Sequence, residues 1–501
     1  MSYHQNPEDV HLWEQIETGS QREKAEAFGR LAELSVRRQE FDHAVTFGAR
    51  SAQLYKEIND AFGEAEGLYQ QGRGHIGLKE AAPALAVLDA AAKIFRANPN
   101  EIFLAATVGK QADAYSMAEQ YQLAVKAYRE SAGLYASCDN HSSVAELYLN
   151  GVDALMELRE FDQAELMATQ SYDNFVLAED PLGSARALSK RSWSQVCQHN
   201  FEAALVDIEE AIQLIKYCNN DLHAAEFYHQ QAVILNRLSR TQQVETALES
   251  CRELANKFQY VELLAKCDLQ EGYSLFVLGL HDAAKAKVES VKAFSKVYSN
   301  HDDYVEAEVL LGNIQVANDQ TLDAIATYER AVAYAAAHNI QFSTQEVYVD
   351  FAWALLELQN PSYALEILDR IQFENELSSD SLGRAHNFRA LALSQLGQHQ
   401  QAQELAKSII EKYADQPQDM SGIYAQENLA RSYLIEGNLE LAIPALQLAI
   451  VRHSAYGSDY TATQLSRRLL EVQEQQAQQL AQQAQAQQAQ AEPDDNDQEA
   501  A

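Results

Sequence analysis

The sequence predicts an all-α solenoid of about eleven helix-turn-helix repeats, each about forty residues long. Three observations carry this expectation. An alanine recurs with a period of forty, two further small residues keep fixed offsets from it, and turn residues punctuate the chain at the same interval. Repeats of this length are the signature of stacked supersecondary units, so the ordinary length prior of several separate domains does not apply.

The alanine is first seen in an aromatic-x-x-Ala pattern, Phe41 to Ala44, which returns as Tyr121 to Ala124, Phe161 to Ala164 and Phe201 to Ala204. The series continues through Ala84, Ala284, Ala324 and Ala364, with Val244 the exception, and after a two-residue deletion closes at Ala402 and Ala442. Twelve positions earlier stand Ala32, Gly72, Ala112, Val152, Ser192, Ala232, Gly272, Gly312, Ala352, Ala390 and Ala430. Seven positions later stand Ser51, Ala91, Ser131, Ser171, Ala211, Cys251, Ala331 and Ala449, with Val291, Ile371 and Ile409 larger. Small side chains at fixed offsets let two helices approach closely while bulkier neighbours fill the grooves beside them. The first small residue then falls midway along a helix A and the alanine in the first turns of a helix B. Helix B runs apolar at helical spacing, as in Ala124, Tyr128 and Ser131, followed by Leu134 and Tyr135.

Turn and capping residues separate the units: Asn59-Asp60, Asn98-Pro99-Asn100, Asp139-Asn140, Asp180-Pro181, Asn219-Asn220 and Asp302-Asp303. Pro83 and Pro361 fall where helix B begins, where a missing N–H costs little. Pro444 falls in the second turn of the last helix B, where a local kink is expected. Two helices and two turns in each unit give helices of about 16 residues, roughly 24 Å long. Each hairpin has an apolar face that only its neighbours can cover.

A small residue at position eight of the unit, an aromatic at seventeen, alanine at twenty and a small residue at twenty-seven resemble the tetratricopeptide repeat, over residues 21–457. The resemblance implies a right-handed superhelical solenoid. The unit departs from the family's usual length of about 34 residues. The aromatic is lost after Phe201, where Thr241, His281, Thr321 and Pro361 stand, and the family's terminal proline is absent. The expected organisation is an N-terminal capping helix at 1–20, the solenoid at 21–457, a Gln/Ala-rich C-terminal helix at 458–491 and an acidic disordered tail at 492–501. Pro7, Glu8 and Asp9 suit the start of the capping helix, and Ser20 with Glu23 forms a capping-box pattern. Near the C-terminus only Leu465, Leu469 and Val472 keep a heptad, too few for a coiled coil.

The chain carries 73 acids against 38 bases, a formal net charge of −35. Such a surface repels phosphate backbones and anionic bilayers, so neither nucleic acid nor membrane is an expected partner. The five cysteines form no CxxC pair and read as small core thiols in a reducing compartment. No signal-peptide pattern and no apolar run of spanning length occurs, so a cytoplasmic location is expected.

No motif of catalytic chemistry emerges. Gly72-Arg-Gly-His-Ile-Gly77 matches GxGxxG, but it falls inside a helix A, and Gly72 fills the small slot. The fourteen histidines make no HExxH or HxxxH pair and no zinc spacing with cysteine. His281 and His399 take the aromatic slot and read as interface residues. Acid pairs such as Glu209-Glu210 and Asp302-Asp303 read as solvated charge. The expectation is a protein that is not an enzyme and has no cofactor and no metal.

The resemblance implies that helix A positions two, five, nine and twelve line a concave groove. In the fifth repeat these are Arg186, Ser189, Trp193 and Val196, with Lys190 adjacent; in the sixth Glu226, His229, Val233 and Asn236, followed by Arg237. The seventh supplies Lys266, Leu269, Tyr273 and Phe276, and the ninth Glu346, Val349, Trp353 and Leu356. The partner-binding candidates are Arg186, Lys190, Trp193, Asn236, Arg237 and Tyr273. Arg186, Lys190 and Trp193 share one helical stripe, with Arg191 nearby, a basic and aromatic patch suited to a carboxylate or an acidic segment. The competing arrangement has these bases paired to neighbouring acids and Trp193 packed between repeats. The carboxylate-binding residue set of some family members is incomplete: Asn150 and Lys190 occupy matching slots, but Leu149, Asp153 and Trp193 stand where partners are needed. The expected function is a non-catalytic scaffold or adaptor holding a peptide or helix of a protein partner. The alternative is a regulator responsive to a peptide or small ligand. The sequence leaves the oligomeric state open.

Overall fold

A chain that must fold back every twenty residues needs a way to stop each helix, and here the stop is a single left-handed residue. The computed structural model describes residues 7–98, 100–198, 200–371, 379–415, 419–456 and 459–491. These residues divide into two compact units, Met1–Leu264 and Ala265–Ala501. The first holds α1 (Pro7–Thr18), α2 (Gln21–Arg37), α3 (Phe41–Glu57), α4 (Ala61–Gly77), α5 (Ala81–Ala97), α6 (Glu101–Met117), α7 (Tyr121–Ala136), α8 (His141–Glu157), α9 (Phe161–Leu177), α10 (Pro181–Cys197), α11 (Phe201–Tyr217), α12 (Asp221–Arg237) and α13 (Thr241–Lys257). The boundary falls within α14 (Val261–Val277). The second unit continues with α15 (His281–Tyr298), α16 (His301–Ala317), α17 (Thr321–Ala337), α18 (Gln341–Glu357), α19 (Pro361–Leu368), α20 (Ser379–Gln395), α21 (His399–Lys412), α22 (Met420–Glu436), α23 (Leu439–Tyr456) and α24 (Asp459–Ala491). From α2 to α23 the even-numbered helices are helices A and the odd-numbered ones helices B, and most are 17 residues long, one more than expected.

Most stops have the same hydrogen bonds. After α2, the N–H of Gln39 donates to the Val36 carbonyl at 3.1 Å and that of Glu40 to the Ser35 carbonyl at 2.8 Å. Lys79 and Glu80 repeat this after α4, and Glu119 and Gln120 after α6. This is the Schellman pattern, which needs one residue at positive φ. Gln39, Asn59, Lys79, Glu119, Asp139, Arg159 and Glu179 supply it at intervals of twenty or forty residues, with φ of 54° to 60°. Glycine, the residue that adopts this conformation without strain, takes the position only at Gly279, Gly397 and Gly437 among the described residues.

Helix starts alternate in kind except at α18 and α19, where Ile340 gives no side-chain cap and Asn360 gives one. Asp60, Asn100, Asn140, Asp180, Asn220 and Asn300 each open a helix A and accept a backbone N–H at the third helical residue. Glu40, Glu80, Gln120, Glu160 and Asn200 open helices B with no side-chain cap. The cap of α16 is therefore Asn300 and not the Asp302-Asp303 pair. Asp303, expected in solvent, is buried and accepts 2.6 Å from the Asn300 amide. Ser20 and Glu23 form the expected capping box. Asp9 does more than suit a helix dipole: its buried carboxylate receives two bonds from Arg38, at 2.8 and 3.0 Å, tying α1 to the end of α2.

The small slots are the core. Ala44, Ala84, Ala124, Ala164, Ala204, Val244, Ala284, Ala324, Ala364, Ala402 and Ala442 are all 0 to 2% exposed. Where the third slot is serine, its buried hydroxyl needs a partner. Ser51, Ser131 and Ser171 donate to the carbonyls of Ala25, Ala105 and Ala145 at 2.7 to 2.8 Å, so one bond joins helix A to helix B in three repeats. The GxGxxG segment lies inside α4, beside helix-contact glycines. A Cβ on Gly67 would sit 2.5 Å from the Ala52 nitrogen, and one on Gly48 2.6 Å from the Gln71 nitrogen. Glycine there lets α3 and α4 meet backbone to backbone, which no side chain permits.

The second unit departs from regularity in several places. α19 is only eight residues long, and 372–378 lie outside the described residues. α23 stays helical through Pro444, whose ring removes the N–H that would have bonded the Glu440 carbonyl. The Gln/Ala tract continues α24 to Ala491, and the acidic tail at 492–501 lies outside the described residues. No helix of the described residues is long and apolar enough to cross a membrane.

This unit also buries a charge. Glu308 on α16 is fully buried, and the Arg330 guanidinium on α17 donates to both its oxygens, at 2.9 and 3.1 Å. Lys292 on α15 lies 3.2 Å away, and the Tyr304 hydroxyl donates at 2.8 Å. Burial by itself raises the carboxyl pKa, but Arg330, Tyr304 and Lys292 together hold it below the ordinary glutamate value. The network joins three consecutive helices.

Two predictions arise from this packing. Lys79→Gly and Glu119→Gly should each stabilise the protein by up to about 1 kcal/mol, because a left-handed L-residue carries roughly that strain. Lys79→Val should destabilise it. Denaturant midpoints check both, and unchanged midpoints would show the stops to be unstrained. Glu308→Gln should destabilise the second unit by about 3 kcal/mol at neutral pH, as breaking a buried ion pair does. A depressed carboxyl pKa contributes stability that is full above the unfolded value of about 4.5 and fades as pH falls through the folded value. The gap between wild type and Glu308→Gln in urea titrations should therefore narrow below about pH 4.5.

Candidate functional site

Within the first unit, α2, α4 and α6 touch in succession and so do α8, α10 and α12, so helices A crowd together along one side of the stack. Side chains on that side meet their counterparts one repeat away. Arg186 on α10 donates to Glu146 on α8 at 2.8 Å, and Lys190 on α10 pairs with Asp153 on α8. On the other flank, the Ser189 hydroxyl donates to the Gln230 carbonyl oxygen of α12 at 2.7 Å. The Gln230 amide returns a bond to the Ser189 backbone carbonyl at 2.9 Å. Trp193 stands beside these pairs with 42% of its surface exposed.

The three bases of α10 differ in role. Arg191 makes two 2.6 Å bonds to the buried Asp207 and lies over the Tyr172 ring at 5.5 Å. Its hydrogen bonds with Asp207 raise its pKa against the cost of burial, and it serves the α10–α11 contact. The acid partners of Arg186 and Lys190 are themselves exposed, Asp153 by 62% and Glu146 by 45%. Exposed pairs of this kind contribute about 0–1 kcal/mol, so a ligand carboxylate can replace either acid at little cost.

Toward α2 and α4 the same side is more acidic. Glu66 is half-buried, and burial, reinforced by Glu33 and Asp60, raises its pKa. Tyr55 is pushed up to about 12 by burial and by Glu26, Glu66 and Asp60. The side thus runs from acidic at α2 and α4 to basic and aromatic at α10.

The other candidates lie apart from that stripe. Asn236 is half-buried and Arg237 exposed, both in the last turn of α12. Tyr273 belongs to the second unit, where it packs on the cluster of Leu269, Val288 and Leu310. Leu269, Val349 and Leu356, expected to line a groove, are buried core residues. Helices A of the second unit carry apolar residues on more than one face, and the slot of Trp193 holds the half-buried Tyr273 and Trp353 there. Glu346 lies where side chains are not described. His281, expected at an interface, faces Asn318 on the next hairpin at 2.6 Å. For the two bases the structure thus has the competing arrangement, pairing with neighbouring acids, and the slot shared by Glu146, Arg186 and Glu226 at forty-residue spacing with alternating sign is the signal that points to Glu146.

A small hollow between α20 and α21 is lined by Leu382, Gly383, His386, Ile409, Lys412 and Tyr413. It has a free volume of about 10 Å³, room for one water. No group of three or more histidine, cysteine, aspartate or glutamate side chains among the described residues is placed to hold a metal ion.

No protein-family model matches the chain, and no curated protein matches it. Solved structures do. The apo form of RapI superposes with a TM-score of 0.56 at 12% identity, over 68% of this chain and 95% of that one. The apo form of the quorum sensor NprR from B. thuringiensis superposes with a TM-score of 0.50 at 13% identity, over 68% of this chain and 98% of that one. At such identity the likeness concerns the fold. With consecutive helical hairpins, small residues at their contacts and these neighbours, the chain has the tetratricopeptide-like helical-repeat fold, built on a unit of forty residues.

Proposed function

We propose that the chain is a non-catalytic interaction scaffold, and that the helix A side of the first unit holds an extended peptide or helix of a protein partner. The observation that carries this reading is the α10 stripe. Trp193 is a large exposed aromatic, and Arg186 and Lys190 beside it are held by exposed acids that a ligand can displace. An aromatic anchor beside guanidinium and ammonium donors suits a peptide carboxylate. The acidic end at Glu26, Glu33 and Glu66 favours a peptide whose basic residues lie away from that carboxylate. NprR is described as a quorum sensor, and the second reading follows that comparison: a regulator in which a bound peptide changes how the repeats pack.

Peptides with acidic C-termini and basic N-termini should bind the full chain and change its tryptophan fluorescence. Trp193→Ala should weaken binding at least tenfold, and Arg186→Glu/Lys190→Glu should abolish it. Glu146→Gln/Asp153→Asn should strengthen binding, because the internal competitors for Arg186 and Lys190 are gone. Equal affinity for all four proteins would remove the α10 site. X-ray scattering with and without peptide separates the two readings: an unchanged radius of gyration supports the scaffold and a smaller one the regulator.

A further inference from the structure

In the first unit, large apolar side chains stand in solvent in pairs, one pair at each of three successive turns from a helix B to the next helix A. Val176 and Leu177 flank the α9–α10 turn, Tyr217 and Leu222 the α11–α12 turn, and Phe258 and Val261 the α13–α14 turn. Leu177 is 63% exposed and Tyr217 81%. These turns adjoin one another. Lys257 at the end of α13 reaches Asp221 at the start of α12 at 2.5 Å, which sets Phe258 beside the α11–α12 turn. One repeat earlier the same two slots hold Tyr217 and Pro181. Burial, and after it the Asp180 carboxylate of the α9–α10 turn, raises the pKa of the Cys218 thiol next to Tyr217. The pairs therefore make one patch along an edge of the unit, where single exposed leucines would need no explanation.

Charge singles out the same three turns. Over matching slots, residues 173–182, 213–222 and 253–262, they carry Asp173, Glu179, Asp180, Asp221, Glu253 and Glu262 against Lys216 and Lys257. Lys257 is held by Asp221, and Lys216 lies over the Tyr228 ring at 5.2 Å. The turns α3–α4, α5–α6 and α7–α8 differ on both counts. Over the same slots they carry Glu57, Asp60, Glu101 and Asp139 against Lys56, Lys93 and Arg96, close to balance. Among their described residues only Phe62 and Ile102 are large, apolar and exposed.

We propose that the edge from α9–α10 to α13–α14 docks a basic amphipathic helix of a protein partner, laid across the three turns with its apolar face on the six side chains. An apolar strip with an acidic rim complements a helix that has leucine-like residues on one face and lysine or arginine beside them. Packed helices lie about 8–10 Å apart, so three turns span roughly 20 Å and meet about 14 residues of helix. The other occupants fit less well. A second copy would bring another acidic edge from a chain of net charge −35, and nucleic acid or an anionic bilayer would bring phosphate against the same acids. The edge uses none of the residues of the α10 stripe, so the proposal does not rest on that site.

The probe is a labelled synthetic helix of leucine and lysine, with leucine at i, i+4, i+7 and i+11, and its control is a scrambled peptide of the same composition. Fluorescence anisotropy with the full chain should show the patterned peptide binding at least about tenfold tighter than the scrambled one. Leu177→Ser/Tyr217→Ser, with unchanged circular dichroism, should abolish that preference. Phe62→Ser/Ile102→Ser and Arg186→Glu/Lys190→Glu should both leave it intact, the second even if the α10 site is real. Asp173→Asn/Glu179→Gln should weaken binding at low salt and make little difference at high salt, because the rim acts through screened charge. Equal affinity for the two peptides overturns the proposal, since net charge would then explain all the binding. So does an unchanged preference in Leu177→Ser/Tyr217→Ser, or an equal loss in Phe62→Ser/Ile102→Ser. Self-association of the wild type that Leu177→Ser/Tyr217→Ser abolishes would assign the edge to a second copy and overturn it as well.

Discussion

Two helices cannot pack at close range unless something small lies between them, and in this chain that something is one alanine per repeat. Ala44 and its counterparts through Ala442 sit in the first turns of helix B with almost no exposed surface. Because they are small, the helix A backbone comes near enough for Ser51, Ser131 and Ser171 to reach its carbonyls. Where α3 meets α4 the approach is tighter still, with Gly48 and Gly67 at the contact. The left-handed stops then hold most hairpins to the same length, so their small residues keep register. If either failed, neighbouring hairpins would lose the apolar cover that neither has alone.

That regularity decides which polar side chains meet. A residue on helix A lies beside the residue forty positions away, and opposite charges in one slot pair across repeats, as Glu146 does with Arg186. The same geometry yields two quite different interactions. Around Glu308 the carboxylate is fully buried, and three partners must stay in place to offset its desolvation. Around Arg186 and Lys190 water reaches both members of each pair, and the pairs exchange partners at little cost. The first kind of network fixes helices in position. The second leaves a surface open to a ligand, which is why the α10 stripe and not the Glu308 network is read as the functional face.

The final repeat shows a third outcome. An internal hairpin has a neighbour on each side, and its outward face meets only solvent. α23 keeps the internal pattern on the face that α24 covers, and its opposite face carries exposed leucine and valine, as α9 does with Leu166 and Leu177 and α11 with Val206. The fold leaves that apolar face exposed within a single copy of the chain.

By itself the sequence determined the repeat, its length, the small slots and the capping residues. Each of these is a local requirement: an alanine permits close approach, and an aspartate or asparagine before a helix satisfies a free N–H. It also marked Arg186, Lys190 and Trp193 as one stripe, because helical spacing is local too. Only the tertiary structure decided what that stripe faces. Glu146 and Asp153 are forty and thirty-seven residues away from their partners, and their pairing depends on how far one hairpin is displaced from the next. For the same reason Leu269, Val349 and Leu356, which occupy groove slots by count, are buried: the displacement between repeats closes over them. Position within a repeat is written in twenty residues of sequence, whereas exposure is set by the neighbouring repeat, whose placement arises from the sum of many packed contacts.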